Sequence, residues 1–302
     1  MRIGIISDSD CCIPLAGTLV SQKVQVYLFY SLSPDSFTNQ KVKAFTEQFH
    51  IPFTEEKNRG NDIYEWIQKG KYDVCFIVGY SRLIQLDKLK NLSTNLFNIH
   101  FGPLPAFRGP VPVFWQLKYG VEKLGMAIHK LNKNFDEGAV VWMKEIPNLP
   151  HYNFKSVMQL FSELCVEGAF FILQCFMSRL PLIEIDRKHI NPSFQKRPLL
   201  QDVSIDWEHI TANDICNLTR ACNPWNKGAI AFFKKQEIKL MDARISGDCI
   251  EPAGTIISTD DKLKIACSDG KSIEVSMLYY MDSYQPSYNF KQLYGSVGEI
   301  FN

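Results

Sequence analysis

The sequence predicts an α/β domain on a doubly wound, mostly parallel sheet, followed by a small domain of short antiparallel strands forming an open β-barrel. Three observations lead there. The first half alternates short apolar runs with stretches of helical spacing, the order that builds a parallel sheet with covered faces. Within it, Val74–Val78 is continuously apolar, as in a strand buried on both sides. Beyond residue 200, helical spacing gives way to short runs separated by polar turn residues.

The elements follow in order. Ile3–Ile6 is a first strand, succeeded by an irregular turn at Ser7–Asp10 and a helix-compatible stretch from Pro14. Lys23–Tyr30 is the second strand, and Thr38–Phe49 spaces Val42, Phe45 and Phe49 along one helical face. Ile51–Phe53 is extended, and Asn61 or Asp62 is placed to cap a helix carrying Ile63, Trp66 and Ile67. Leu96, Phe97 and Ile99 form a strand that stops at a loop stiffened by Gly102, Pro103, Pro105, Gly109, Pro110 and Pro112. Val113–Tyr119 starts a helix, Gly125–Leu131 alternates like a strand, and Phe135–Val141 turns and extends again. Ser156–Arg179 is a long helix with Val157, Leu160, Phe161, Leu164, Phe171 and Phe176 on its apolar face.

After that helix, periodicity lapses and prolines appear. The chain therefore divides into a first domain at residues 1–184, a linker at 185–200 and a second domain at 201–302. In the second, Ala212–Arg220 is helical and Asn223-Pro224-Trp225 ends it, with Trp225 placed to anchor this domain to the first. Strands are expected at 228–233, 238–244, 254–258, 262–267 and 272–278, with hairpin turns at Thr259–Asp261 and Ser268–Lys271.

Composition excludes several classes. The 302 residues carry a formal charge of +1, so no overall basic field draws nucleic acid or anionic lipid. Nine cysteines without regular spacing read as apolar fillers in a reducing compartment. The opening strand has no signal-like character and the longest apolar run, Gly168–Met177, is too short to span a bilayer, so a soluble cytoplasmic protein is expected. No G-x-G-x-x-G follows the first strand, which removes the signal for a dinucleotide. His50, His151, His189 and His209 share no ligand spacing with Cys, Asp or Glu, so no metal is expected.

The chemistry-bearing residues lie around the proline-rich loop. Alternation places Asn98 and His100 on one face of their strand, at its end, where α/β enzymes put working groups. Asp136 precedes Gly138 in a turn, one strand further on. An amide and an imidazole can stabilise a developing oxyanion, while a carboxylate sets the imidazole pKa and helps move protons. With no Ser or Cys nucleophile beside them and no G-x-S-x-G elbow, direct attack by a substrate amine on an acyl donor fits this set.

The pattern Asn98-x-His100, Leu104-Pro105-x-x-Arg108-Gly109-x-x-Pro112, Gly125-x-x-x-His129 and Asp136-x-Gly138 resembles the 10-formyltetrahydrofolate-dependent formyltransferases. That family includes glycinamide ribonucleotide transformylase, methionyl-tRNA formyltransferase and the sugar N-formyltransferases. Gly79–Ile84 agrees with it too, and Ile205-Asp206-Trp207 with Arg220–Trp225 resembles the start of the C-terminal domain of the tRNA and sugar members. The resemblance implies a Rossmann-like catalytic domain, an OB-like second domain and catalysis by Asn98, His100 and Asp136. It implies a folate pocket built by Tyr80, Arg82, Leu83, Ile84 and Gly138, although Tyr80 and Arg82 read equally as a core aromatic and a solvated charge. Pro105, Arg108 and Gly109 are the substrate-side candidates; Arg108 either binds an acidic group or braces the loop. His129 reads as a structural histidine and Trp115 as packing. Many members carry Ser-Leu-Leu-Pro where this chain has Gly102-Pro103-Leu104-Pro105.

Charge bears on the acceptor. From Pro198 to Asn302 there are 10 Lys and Arg against 14 Asp and Glu, a net of −4, which is a poor footprint for tRNA. The expected activity is transfer of a formyl group from 10-formyltetrahydrofolate to the primary amine of a small molecule, an amino-sugar nucleotide by analogy with the sugar branch. The alternatives are methionyl-tRNA formylation, a non-catalytic folate- or sugar-binding module and a folate hydrolase. Exposed strand edges in the second domain would support a homodimer.

Overall fold

The computed structural model describes residues 1–89, 93–293 and 295–302. In chain order the first elements are β1 (Arg2–Ser7), α1 (Ile13–Ser21), β2 (Gln25–Tyr30), α2 (Ser36–Gln48), β3 (Phe53–Glu55), α3 (Asp62–Gly70) and β4 (Val74–Val78). Then come β5 (Asn95–His100), α4 (Pro112–Lys118), β6 (Lys123–Lys130), β7 (Val140–Pro147), α5 (Phe154–Met177), α6 (Leu200–Val203) and α7 (Ala212–Cys222). The last are β8 (Ala229–Phe233), β9 (Gln236–Leu240), β10 (Arg244–Asp248), β11 (Ile256–Ser258), β12 (Leu263–Ala266), β13 (Lys271–Val275), β14 (Met277–Tyr280) and β15 (Ser283–Pro286).

Two compact units result: residues 1–112, 125–146 and 158–195 form the first, and 113–124, 147–157 and 196–302 the second. The first holds a seven-stranded sheet in the order β3-β2-β1-β4-β5-β6-β7. β1 to β5 run parallel, and β6 joins β5 antiparallel. Winding reverses between β1 and β4, so the loops after these strands and after β5 meet at one rim, where doubly wound sheets bind ligands.

Helical faces largely follow the expected spacing, with informative exceptions. α2 begins at Ser36 because the Asp35 carboxylate accepts from the backbone N–H of Phe37 (3.2 Å) and Thr38 (3.1 Å). Phe49 falls beyond the helix end and is exposed. Neither Asn61 nor Asp62 caps α3 through its side chain; Asp62 instead accepts from the N–H groups of Lys57 and Asn58, tying down the preceding turn.

The apolar run at 168–177 belongs to a 24-residue helix, α5, which is long and apolar enough by length and composition to cross a membrane. Its inner face has the burial of a core helix: Phe161, Cys165, Ala169 and Ile172 have no exposed surface. Phe161 meets Phe101 with ring centroids 5.6 Å apart, and a side chain at Gly168 would collide with Ile128 and Trp142 at 2.6 Å. Phe171 lies off this stripe and is exposed.

The second unit contains two four-stranded antiparallel sheets, β10-β13-β12-β11 and β15-β14-β9-β8. The stretch 272–278, expected as one strand, is split. The N–H groups of Ser276 and Met277 both turn to Asp242 Oδ1 at 2.9 Å, so β13 and β14 enter different sheets. Trp207, Phe233, Phe290 and Phe301 form its aromatic core, and the N–H groups of Phe301 and Asn302 bond Gly254 and Phe232. Trp225 packs on Phe114 and Phe154, which belong to this same unit despite their early positions in the chain.

Candidate active site

β5 ends where the rim opens. Its alternation turns Phe97 and Ile99 to one face of the sheet and Leu96, Asn98 and His100 to the other. The antiparallel register sets Asn98 directly opposite His129 of β6. The following loop needs left-handed backbone at Phe107 (φ 55°), Gly109 (φ 93°) and Val111 (φ 57°). Glycine is required at 109, because a Cβ there would lie 2.3 Å from the Gln195 carbonyl oxygen. Segment 193–195 runs beside the loop: Arg108 N–H donates to Ser193 O (2.9 Å) and Gln195 N–H to Arg108 O (2.8 Å).

Asp136 is where the polar groups converge. Its Oδ2 accepts from Gly109 N–H at 2.8 Å and its Oδ1 from Asn98 Nδ2 at 3.2 Å. His100 Nδ1 stands 3.6 Å and His129 Nε2 3.5 Å from the same Oδ1. His129 Nδ1 faces the Lys130 carbonyl at 2.9 Å and must donate to it, which leaves Nε2 to accept from Asn98 Nδ2 at 3.1 Å. His100 Nε2 likewise faces a carbonyl, Phe107 O, at 2.8 Å. Asn98 Nδ2 is thus held between the His129 ring and the Asp136 carboxylate.

Burial by itself would raise the Asp136 carboxyl. The neighbouring His100 and the Gly109 N–H outweigh it and hold the group at about 2. Burial pushes His100 below its ordinary 6.5, opposed by the Asp136 charge and the Phe107 carbonyl. A histidine depressed in the native state binds fewer protons folded than unfolded, so its contribution is full above 6.5 and declines as pH falls below that value. The expected result is a Tm that starts to fall on the acid side of 6.5, a fall reduced in His100→Gln. A second loss follows as pH drops from 3.8 toward 2, when Asp136 protonates. Calorimetry across pH for both proteins checks the order.

The remaining candidates separate into two groups. Near Asp136, Pro105 O accepts from Ser193 N–H (3.3 Å), and Arg108 Nη1 bonds Glu137 Oε1 (3.0 Å), so its guanidinium braces the turn. A Cβ at Gly138 would lie 1.6 Å from the Lys130 carbonyl oxygen, a backbone atom that cannot step aside. Gly138→Ala is therefore expected to destabilise the fold by at least about 2 kcal/mol, read from denaturant midpoints. Elsewhere on the rim, Arg82 pairs with the buried Glu56 (3.1 Å) and bonds Ser31 Oγ (3.0 Å), while Tyr80 OH donates to Glu56 Oε1 (2.9 Å). Leu83 is half-buried, and Ile84 is buried in apolar core with Ile63, Ile67 and Leu96.

Sequence reasoning missed Glu56 and Ser193, and read His129 as a structural histidine without placing it opposite Asn98. His129 needed the antiparallel direction of β6, which alternation alone does not carry. Glu56 follows a short strand with no periodic signal, and Ser193 lies in a stretch without one. Among the described residues, no group of three or more His, Cys, Asp or Glu is placed to hold a metal ion.

A mostly parallel sheet with this polar cluster at its rim and an antiparallel C-terminal region is the architecture of formyl-transferring enzymes. The chain belongs to the formyl transferase family: residues 18–170 match the formyl transferase domain and 200–282 the formyl transferase C-terminal domain. It is 29% identical over 254 residues to the bifunctional polymyxin resistance protein ArnA of Wigglesworthia glossinidia brevipalpis, covering 82% of this chain but 37% of ArnA. A methionyl-tRNA formyltransferase of Thermotoga maritima is 28% identical over 238 residues, 76% of this chain and 73% of that protein. In fold, the chain is similar to HypX from Aquifex aeolicus in complex with tetrahydrofolic acid, with a TM-score of 0.68 at 18% identity, covering 97% of this chain and 47% of HypX. It is also similar to the sugar 3N-formyl transferase WlaRD, solved with dTDP and 5-N-formyl-THF, with a TM-score of 0.72 at 15% identity over 91% and 97% of the two chains. The chain thus spans well under half of ArnA's length and about half of HypX's.

Proposed function

We propose that this chain moves a formyl group from 10-formyltetrahydrofolate to the primary amine of a small molecule, with an amino-sugar nucleotide as acceptor. The observation that carries the reading is the convergence of Asn98, His100 and His129 on one ionised carboxylate, Asp136, with no serine or cysteine nucleophile among them. Formyl transfer to an amine needs donors for an oxygen that gains negative charge, an acceptor for the proton the attacking nitrogen loses, and return of a proton to folate N10 as its bond to the formyl carbon breaks and tetrahydrofolate leaves. Asn98 fills the first role, joined by His100 once its Nδ1 carries a proton, and Asp136, with His100, the second.

The donor would supply an activated formyl carbon. Asn98 Nδ2 and His100 are the groups to hold its oxygen, and Leu104, Ala127, Val140 and Met143 form a packed apolar wall behind the loop. We assign this chemistry to residues 1–184, the connection to 185–200 and the second domain to 201–302. The small-amine acceptor is supported by the net charge of −4 from Pro198 to Asn302 and by the likeness to ArnA and to sugar N-formyl transferases. The likeness to methionyl-tRNA formyltransferases supports the competing acceptor, charged tRNA.

A formyl-transfer assay over amino-sugar nucleotides, amino acids and methionyl-tRNA decides between them. Tetrahydrofolate release that depends on an amino-sugar nucleotide supports the proposal. Activity confined to methionyl-tRNA and collapsing with salt supports the other acceptor. Formate release without any amine contradicts both.

A further inference from the structure

The departure Gly102-Pro103 lies beside His100 and bears on which ring nitrogen works. His100 Nε2 is 2.8 Å from Phe107 O, and the carbonyl can only accept, so Nε2 carries a proton whether the ring is neutral or charged. Nδ1 is then the nitrogen free to gain or lose one, 3.6 Å from Asp136 Oδ1. Two features keep the tether in place. A Cβ at residue 102 would lie 2.7 Å from His100 Nε2 and 3.0 Å from Phe107 O, so a side chain there would have to displace the ring or the carbonyl that it bonds. The N–H of Phe107 (φ 55°) donates to Ser193 Oγ at 2.9 Å, and the peptide that carries the Phe107 carbonyl is held by Arg108 N–H donating to Ser193 O at 2.9 Å, so residue 193 grips both sides of Phe107 and its carbonyl faces the ring.

We propose that Gly102 and Ser193 are positioning residues that tether the Nε2 edge of His100 to the Phe107 carbonyl, leaving Nδ1 as the nitrogen that exchanges protons in the reaction. The inference rests on reading His100 as a working residue of formyl transfer. It extends that reading from a residue to an atom, and to two positions that act through it. Gly102 does not have the positive φ that favours glycine, so alanine meets its obstacle at the ring and the Phe107 carbonyl rather than in its own backbone.

The test is nitrogen NMR of the full chain with ring-labelled histidine, beside steady-state kinetics on Gly102→Ala, Ser193→Ala and Ser193→Thr. The chain has six histidines, and the His100 signals are assigned by their loss in His100→Asn. In the unsubstituted protein, His100 should be protonated at Nε2 alone at alkaline pH. In Gly102→Ala and Ser193→Ala that signature should give way to a mixture, kcat should fall about 100-fold and about 10-fold respectively, and KM for the folate should hold within about threefold. Ser193→Thr keeps a hydroxyl and should restore both spectrum and rate.

Protonation at Nδ1 alone in the unsubstituted protein overturns the proposal. So does a Gly102→Ala protein, shown folded by its spectrum, that loses the signature and keeps its rate. Failure to turn over any amine overturns the formyl-transfer reading instead, while the ring spectrum still decides the tether.

Discussion

Asp136→Asn is expected to lower kcat by about 10³-fold while changing the KM for the folate by less than about threefold. The substitution preserves shape and removes charge. The carboxylate accepts from both Gly109 N–H (2.8 Å) and Asn98 Nδ2 (3.2 Å), so an amide must present its NH2 to one of these donors. The loss also removes the counter-charge beside His100 Nδ1 at 3.6 Å, and a buried imidazole without it takes a proton less readily. The effect should concentrate in kcat, because these interactions strengthen as charge develops rather than when substrate binds. Single-turnover and steady-state kinetics separate the two. A variant with near-native kcat would remove Asp136 from the chemistry.

The second large effect is expected from Asn98→Ala, at about 10²- to 10³-fold in kcat. Asn98 Nδ2 is at bonding distance from both Asp136 Oδ1 and His129 Nε2. Its truncation removes the donor proposed for the oxyanion and also frees the two groups it contacts. His100→Ala should fall in the same range. Near-native turnover in any two of Asn98→Ala, His100→Ala and Asp136→Ala would contradict the assignment of this cluster as the centre of transfer. Folate affinity, measured by titration of the unreactive donor analogue, should stay close to that of the unsubstituted chain in all three.

Much of this site was legible before any coordinates. Asn98 and His100 share a face because strands alternate, and the abrupt Gly/Pro loop after them marks a strand end at a rim. The link to Asp136 could be expected from the family pattern, but not its mode: the three side chains meet through one carboxylate oxygen rather than fanning toward a shared open point. The Tyr80 and Arg82 candidates show the limit from the other side. Their partner, Glu56, is fully enclosed at the side chain, and its position depends on β3 pairing with β2. Phe49 and Phe171 show the same limit for packing, since helical spacing names a face but not where the helix ends or which neighbour covers it.

By itself the sequence determined the parallel sheet, the long core helix and the antiparallel second region. Each of these follows from apolar periodicity and turn chemistry, which act between residues close in the chain. Only the tertiary structure decided that His129 stands opposite Asn98, that Asp242 divides β13 from β14, and that Ser193 buttresses the loop holding His100. Those contacts join residues tens of positions apart. Their geometry depends on strand direction and on how segments without periodicity are laid against the sheet, and neither is written in local spacing.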